Sequence, residues 1–101
     1  MSSSMIEIQV SDAAEIHVTD DRLVVDLDDG RSISLPLSWY PRLLHATPEE
    51  RNNYQLIGPG SGIHWPELDE DLHVEDLLAG RRSQESQTSL RKWLEGRNQT
   101  E

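Results

Sequence analysis

The sequence predicts an α+β fold: a small antiparallel β-meander of about four strands, with short helices and a further hairpin packed on one face. Three observations support this prediction. The first third of the chain alternates apolar and polar residues, as half-buried strands do. An Asp-Gly turn falls within it, and two helix-start signals follow it. The 101 residues, of which 35% are hydrophobic, suffice for one domain with a modest core.

Four segments of the first third have the alternating pattern of strands, namely residues 5–10, 15–18, 22–27 and 31–35. The last two are joined by Asp28-Asp29-Gly30, and Asp-Gly favours a hairpin because it tolerates the positive φ angles of tight turns. Pro36 follows the fourth segment. Because proline has no N–H to donate, it ends the sheet or lies on its edge.

Two short helices are predicted after the meander. Ser38 is the expected cap of the first. Thr47 caps the second, with Pro48 at its first position and Glu50 completing a capping box. This second set of residues is the most specific local signal in the chain.

A further hairpin and one more helix are predicted in the second half of the chain. Residues 54–65 form the hairpin around a glycine-rich loop at residues 58–62. Pro66 ends its second strand, and residues 69–71 form an acidic turn. The helix Val74–Leu78 is then closed by a glycine beyond its C-terminus.

The charge divides the chain into an acidic domain, residues 1–80, and a polar tail, residues 81–101. The domain holds sixteen Asp and Glu against four Arg, a charge of −12, whereas the tail holds five basic and three acidic residues, a charge of +2. Leu90, Trp93 and Leu94 share one face of a short amphipathic helix predicted at roughly residues 84–95. Because so short a helix is marginal in water, it docks on its own domain, docks on a partner or stays disordered.

Composition argues against several classes of function. Without cysteine there is no disulfide, thiol nucleophile or thiolate metal site. The N-terminus lacks a signal-peptide pattern, and no apolar run approaches the ~20 residues of a membrane span, so a cytoplasmic protein is expected. Direct nucleic-acid binding is not expected, because a net charge of −10 repels phosphate backbones.

No complete catalytic or metal signature is present, so we expect a protein that is not an enzyme and carries no cofactor. The loop at residues 58–62 lacks the Lys-Ser/Thr of a phosphate-binding loop. The candidates for a metal site are His64 and His73, which flank the acidic turn. Pro66 interrupts any helix that could bring such ligands together at a standard spacing.

The sequence also indicates a surface for a protein partner. An acidic domain attracts basic proteins at modest salt, and Trp and Tyr flanked by charge dominate protein interfaces. The predicted partner-binding residues are Trp39, Tyr40, Trp65, Glu67, Asp69, Glu70 and Asp71. The carboxylates would steer the partner and the aromatic residues would anchor it, although aromatic residues also serve as core anchors.

Three motifs occur in order along the chain: Asp-Asp-Gly-Arg with Trp-Tyr-Pro-Arg-Leu in residues 27–43, Ala-Thr-Pro-Glu-Glu-Arg in residues 46–51, and Gly-Ile-His-Trp-Pro-Glu-Leu-Asp-Glu-Asp in residues 62–71. Together they resemble the bacterial family called domain of unknown function 2442, over roughly residues 15–80. Residues 71–78 resemble its closing motif, with His73 where a serine cap is common.

This resemblance implies a small α+β domain with no established activity. Members of the family neighbour genes of another small family, domain of unknown function 4160, which implies a paired system similar to a toxin and its antitoxin. The leading hypothesis is therefore a non-enzymatic acidic module that binds a small basic protein, as the antitoxin-like half of such a pair. Two alternatives are a metal-binding protein or enzyme that uses His64 and His73, and a self-associating structural protein that dimerises through an edge strand or the C-terminal helix.

Overall fold

The computed structural model describes residues 11–98, which form two antiparallel three-stranded sheets and four α-helices. The first sheet contains β1 (Ala13–Val18), β2 (Arg22–Leu27) and β3 (Ser32–Pro36), and the second contains β4 (Gln55–Ile57), β5 (Gly62–Trp65) and β6 (Glu70–His73). The helices are α1 (Pro41–Leu44), α2 (Pro48–Asn52), α3 (Val74–Leu78) and α4 (Gln87–Asn98). The predicted α+β class is confirmed. The strand predicted at residues 5–10 lies outside the described residues.

The first sheet has the order β1-β2-β3 and follows the predicted alternation. In β2 the side chains of Leu23, Val25 and Leu27 are buried, while the residues between them are partly exposed. The predicted hairpin is confirmed, because Gly30 has a φ of 95° in the turn between β2 and β3. β1 begins at Ala13, two residues before the predicted strand.

The helix starts were predicted with unequal success. Ser38 caps neither helix: Pro36 precedes a single 3₁₀ turn at Leu37–Trp39, and Tyr40 precedes α1 without a side-chain cap. The capping box of α2 is confirmed. Thr47 Oγ1 accepts a hydrogen bond from the Glu50 N–H at 3.1 Å, and Glu50 Oε1 accepts one from the Thr47 N–H at 2.8 Å.

The second sheet has the order β4-β5-β6, so the predicted hairpin gains a third strand. The sequence predicted an acidic turn over residues 69–71, and this prediction is wrong for two of the three residues. Asp69 is in the turn with a φ of 51°, whereas Glu70 and Asp71 pair with β5. The cause is Leu72, which is buried between two exposed strand neighbours. Burying it on the core face requires the acidic residues before it to extend as a strand.

Within residues 11–98, the two sheets share one core of sixteen buried hydrophobic residues, in which Trp65 and Tyr40 are the largest fully buried side chains. The sheets are joined where the Ala13 N–H donates a 2.7 Å hydrogen bond to the Gly60 carbonyl. α3 ends as predicted, since Gly80 follows it with a φ of 75°.

The tail folds back onto the domain. Its helix begins at Gln87, three residues later than predicted, because Ser86 caps it: Ser86 Oγ accepts a hydrogen bond from the Ser89 N–H at 3.0 Å. Trp93 lies between the guanidinium groups of Arg42 and Arg97, at 5.1 and 4.7 Å from its ring centroid. Of the three outcomes left open for the tail, the structure therefore shows docking on its own domain. No helix within residues 11–98 has the length and apolar character to cross a membrane.

Candidate functional site

A concave surface lies between β6 and the segment that leads to α4. We call it the β6 groove, and its volume is about 560 Å³, within the ~300–1,000 Å³ range of ligand-binding clefts. One wall is formed by residues 69–73, the other by residues 81–85, and Tyr40, Arg42, Asp76 and Leu77 complete the lining.

The groove runs along the edge of β6 rather than over one face of the sheet. Successive residues of a strand point to opposite faces, so a cavity over one face would be lined by every second residue. Here five consecutive residues, 69–73, line the same cavity. β6 is also the last strand in the order β4-β5-β6. Within the described part of the chain, the groove is therefore bordered by an open strand edge.

Glu70 is the electrostatic centre of the groove. Its pKa is raised to about 7, chiefly because burial disfavours the ionised carboxylate. The Arg42 guanidinium opposes this rise, whereas the carboxylates of Glu85, Asp71 and Asp69 add to it. A carboxyl group with this pKa changes its charge near neutral pH, and a cation arriving beside it would favour the ionised form.

The opposite wall is fixed by contacts with Arg42 of α1 and with Tyr40, which precedes that helix. Arg42 forms two hydrogen bonds of 2.8 Å with the carboxylate of Glu85 and a third with the Leu68 carbonyl. The Tyr40 hydroxyl donates a 3.0 Å hydrogen bond to the Arg81 carbonyl. These contacts hold residues 81–85 in place across the groove from β6.

Most charges of the groove are already paired within the protein. Among its lining residues, Arg42 bonds Glu85 and Arg81 bonds Asp76 at 2.6 Å. Asp71 contacts His64 on β5. The carboxylates of Asp69 and Glu70 accept no hydrogen bond and form no ion pair with the rest of residues 11–98. The groove thus presents two carboxylates that are available to a cation from outside.

The structure corrects two of the predicted aromatic anchors. Trp65 and Tyr40 have 0% and 1% of their surface exposed, so both pack in the core and neither is an exposed aromatic anchor. Both are core residues, and their polar atoms are satisfied inside: Trp65 Nε1 donates to the Arg51 carbonyl at 3.0 Å. Trp39 is partly buried, with the Arg82 guanidinium 4.4 Å from its ring centroid.

The carboxylates predicted to bind a partner do not all lie in the same place in the structure. Asp69, Glu70 and Asp71 all line the β6 groove. Glu67 lies outside it, and its carboxylate accepts a 3.2 Å hydrogen bond from Asn53. Sequence reasoning missed Arg42 and Glu85, which define the far wall. They are 43 positions apart, and no local pattern links them.

The histidines considered for a metal do not gather into a ligand set. His64 is paired with Asp71 and His73 lines the groove, and within residues 11–98 neither belongs to a group of three ligand atoms that lie close together. Within the described part of the chain, the set of three His, Asp or Glu side chains with ligand atoms within 4.8 Å of one another is Glu15, His17 and Asp26, on the first sheet. There His17 Nε2 is 3.2 Å from Asp26 Oδ2, an exposed pair on neighbouring strands.

Comparison with known proteins gives a family and a fold. The family model described as "Protein of unknown function (DUF2442)" matches residues 13–83. The chain is similar to the crystal structure of a protein of unknown function from Rhodospirillum rubrum, with 27% identity and a TM-score of 0.63, over 79% of this chain and 96% of that one. An uncharacterized protein from Chromobacterium violaceum, solved by NMR, has 24% identity and a TM-score of 0.63, over 97% of this chain and 86% of that one. None of the curated proteins matches the chain.

Proposed function

This chain belongs to the DUF2442 family of proteins of unknown function, and we propose that it is a non-enzymatic, acidic interaction module that binds a small basic protein at the β6 groove. One observation carries the proposal: the carboxylates of Asp69 and Glu70 line the groove without a hydrogen bond or ion pair to the rest of residues 11–98, whereas most other charged residues of the lining are ion-paired and Arg82 stacks on Trp39. A lysine or arginine of a partner would supply the missing charge.

The electrostatics of the whole chain support the same kind of partner. The net charge is −10, so a basic protein approaches with favourable long-range attraction at modest salt. Glu70 would add a short-range contribution, because a cation beside it lowers its raised pKa and stabilises the ionised carboxylate. Long-range attraction favours association, and the groove selects the place of contact.

The resemblance of the sequence to the DUF2442 family gives this proposal a biological setting. We take the partner to be the other member of a paired bacterial system, with this chain as the antitoxin-like half in the cytoplasm. The proposed anchors differ from those predicted from sequence, since Tyr40 and Trp65 are buried. Trp39, stacked under Arg82 beside the groove, is the aromatic residue that remains for contact with a partner.

The test is a pull-down of the tagged full chain from native lysate, with bound proteins identified by mass, at about 50 and about 500 mM salt. The groove variant carries Asp69→Asn, Glu70→Gln and Asp71→Asn. The matched control carries Asp28→Asn, Glu49→Gln and Glu95→Gln, which removes the same charge from exposed positions elsewhere.

We expect a small basic protein to be captured at low salt by the native chain and by the control variant, and lost from the groove variant and at high salt. Capture that survives in the groove variant would contradict the proposal. Equal loss from both variants would also contradict it, since it would indicate attraction to the overall charge rather than to the groove.

A further inference from the structure

Among the strands of residues 11–98, none pairs with the outer side of β6. In an antiparallel pair, hydrogen-bonded and non-hydrogen-bonded residue pairs alternate. The Val74 N–H donates to the Ser61 carbonyl at 3.0 Å, and the register continues with Gly62↔His73 and Ile63↔Leu72. This places Leu72 in a hydrogen-bonded pair and His73 in a non-hydrogen-bonded one.

The alternation determines where the backbone groups of β6 point. Residues in non-hydrogen-bonded pairs direct their N–H and C=O away from the neighbouring strand. Those residues are His73 and Asp71, which is opposite His64. The close approach expected of such pairs is present, because a Cβ on Gly62 would lie 2.9 Å from His73 Nδ1. This register directs the N–H groups of Asp71 and His73 and the C=O of Asp71 away from β5, and within residues 11–98 no turn, loop or side-chain hydrogen bond involves them.

These groups open into the β6 groove, which is lined by the same strand. An open strand edge with unpaired N–H and C=O groups is a template for another strand. Proteins bind extended peptides at such edges, where main-chain hydrogen bonds supply affinity and side-chain sites supply specificity. The edge of β6 combines this template with the carboxylates of Asp69 and Glu70.

We infer that an extended, basic segment of the partner adds to the second sheet as a strand alongside β6. The inference rests on the proposed function and specifies how that partner binds. Charge complementarity defines the occupant. The side chains of an added strand alternate between the two faces of the sheet, so one would lie beside Asp71 on the exposed face and the next beside Glu70 on the other face. Lysine or arginine at these positions meets a carboxylate on either face.

The test uses two synthetic peptides of equal charge. The first is an eight-residue alternating Lys-Thr peptide with blocked ends. The second has the same sequence with an N-methyl group on every residue, which removes the N–H groups of both edges and leaves the charge unchanged. Changing the peptide rather than β6 avoids any loss of folding in the protein.

We expect the full chain to bind the unmodified peptide about tenfold more tightly than the methylated one, as the loss of one or two net hydrogen bonds requires. Hydrogen exchange measured by NMR should slow at the amides of Asp71 and His73 when the unmodified peptide is added. The amide of Leu72, which already faces β5, is the internal control and should change little.

Equal affinity for both peptides, without protection at Asp71 and His73, overturns strand addition. If the groove variant then binds neither peptide, the peptides bind through the carboxylates of the groove and not as an added strand. The proposed function then holds, and only the inference of strand addition fails. Failure of the full chain to bind either peptide at low salt overturns the inference. The same two amides could also become protected in the protein without peptide, to an extent that increases with protein concentration. In that case a second copy of the chain pairs with β6, and the inference is overturned as well.

Discussion

Arg42 and Glu85 form a bidentate ion pair, with both guanidinium-to-carboxylate distances at 2.8 Å. Their side chains are only 16% and 9% exposed, so water screens the pair weakly. The hydrogen bonds from Arg42 hold the pKa of Glu85 below its ordinary value despite burial. The pair joins α1 to the segment before α4, and it therefore holds one wall of the β6 groove.

Replacing Glu85 by Gln should destabilise the protein by about 2–3 kcal/mol, because it leaves the charge of Arg42 partly buried without its partner. Urea denaturation followed by circular dichroism measures the change. Glu95→Gln, an exposed change on α4, is the control and should stay within about 0.5 kcal/mol. A native-like stability for Glu85→Gln would show that the ion pair does not hold the wall.

The docking of α4 can be tested at Trp93. Trp93→Ala removes an aromatic ring that packs between two guanidinium groups, and we expect a loss of about 1–2 kcal/mol in the free energy of unfolding. Lys92→Ala, on the exposed side of the same helix, is the matched control. Equal stability of the two variants would contradict the docking, and amide exchange along residues 87–98 would then be as fast in the native chain as in Trp93→Ala.

Two glycines should respond in opposite directions to the same substitution. Gly60 has a φ of 120°, and a Cβ there would overlap the carbonyl oxygen of Ala13, so Gly60→Ala should cost at least about 2 kcal/mol. Gly96 lies in α4 with open space around it. Gly96→Ala should therefore raise the stability by about 0.5–1 kcal/mol. A mild effect at Gly60 would mean that the two sheets are not joined through that residue.

Local signals in the sequence were sufficient for part of this fold. Gly30 and the capping box of Thr47 and Glu50 were predicted correctly because each depends on residues within three positions. The edge strand β6 was missed because its acidic residues favour a turn locally, and only the burial of Leu72 against the core forces them to extend.

The candidate site was predicted less completely than the fold. Its carboxylates were found from composition, but no local sequence pattern separates an exposed tryptophan from a buried one. Trp65 packs in the core, and its indole N–H donates to the Arg51 carbonyl, 14 positions away. The far wall depends on Arg42 and Glu85, whose contact exists only once the tail has docked. Such long-range pairs leave no periodic trace in the sequence.

Glu70 should make the stability of the protein depend on pH near neutrality. Its pKa is raised from 4.5 to about 7, so the folded protein binds the proton more tightly than the unfolded chain does. The stability that this proton confers is fully present below about pH 4.5 and is lost as the pH rises through about 7. At pH 8 the buried carboxylate is ionised, and folding bears the cost of its desolvation.

Glu70→Gln removes this titration. After allowance for screening by solvent in the groove, the variant should be more stable than the native protein by about 1–3 kcal/mol at pH 8 and nearly equal to it at pH 4.5. Urea denaturation at a series of pH values measures the difference, and Glu75→Gln, an exposed change on α3, is the control that should follow the native curve. A constant difference between Glu70→Gln and the native protein across this range would show that Glu70 keeps its ordinary pKa. Glu70 would then offer a basic partner the contact of an ordinary carboxylate, without the added gain from lowering a raised pKa.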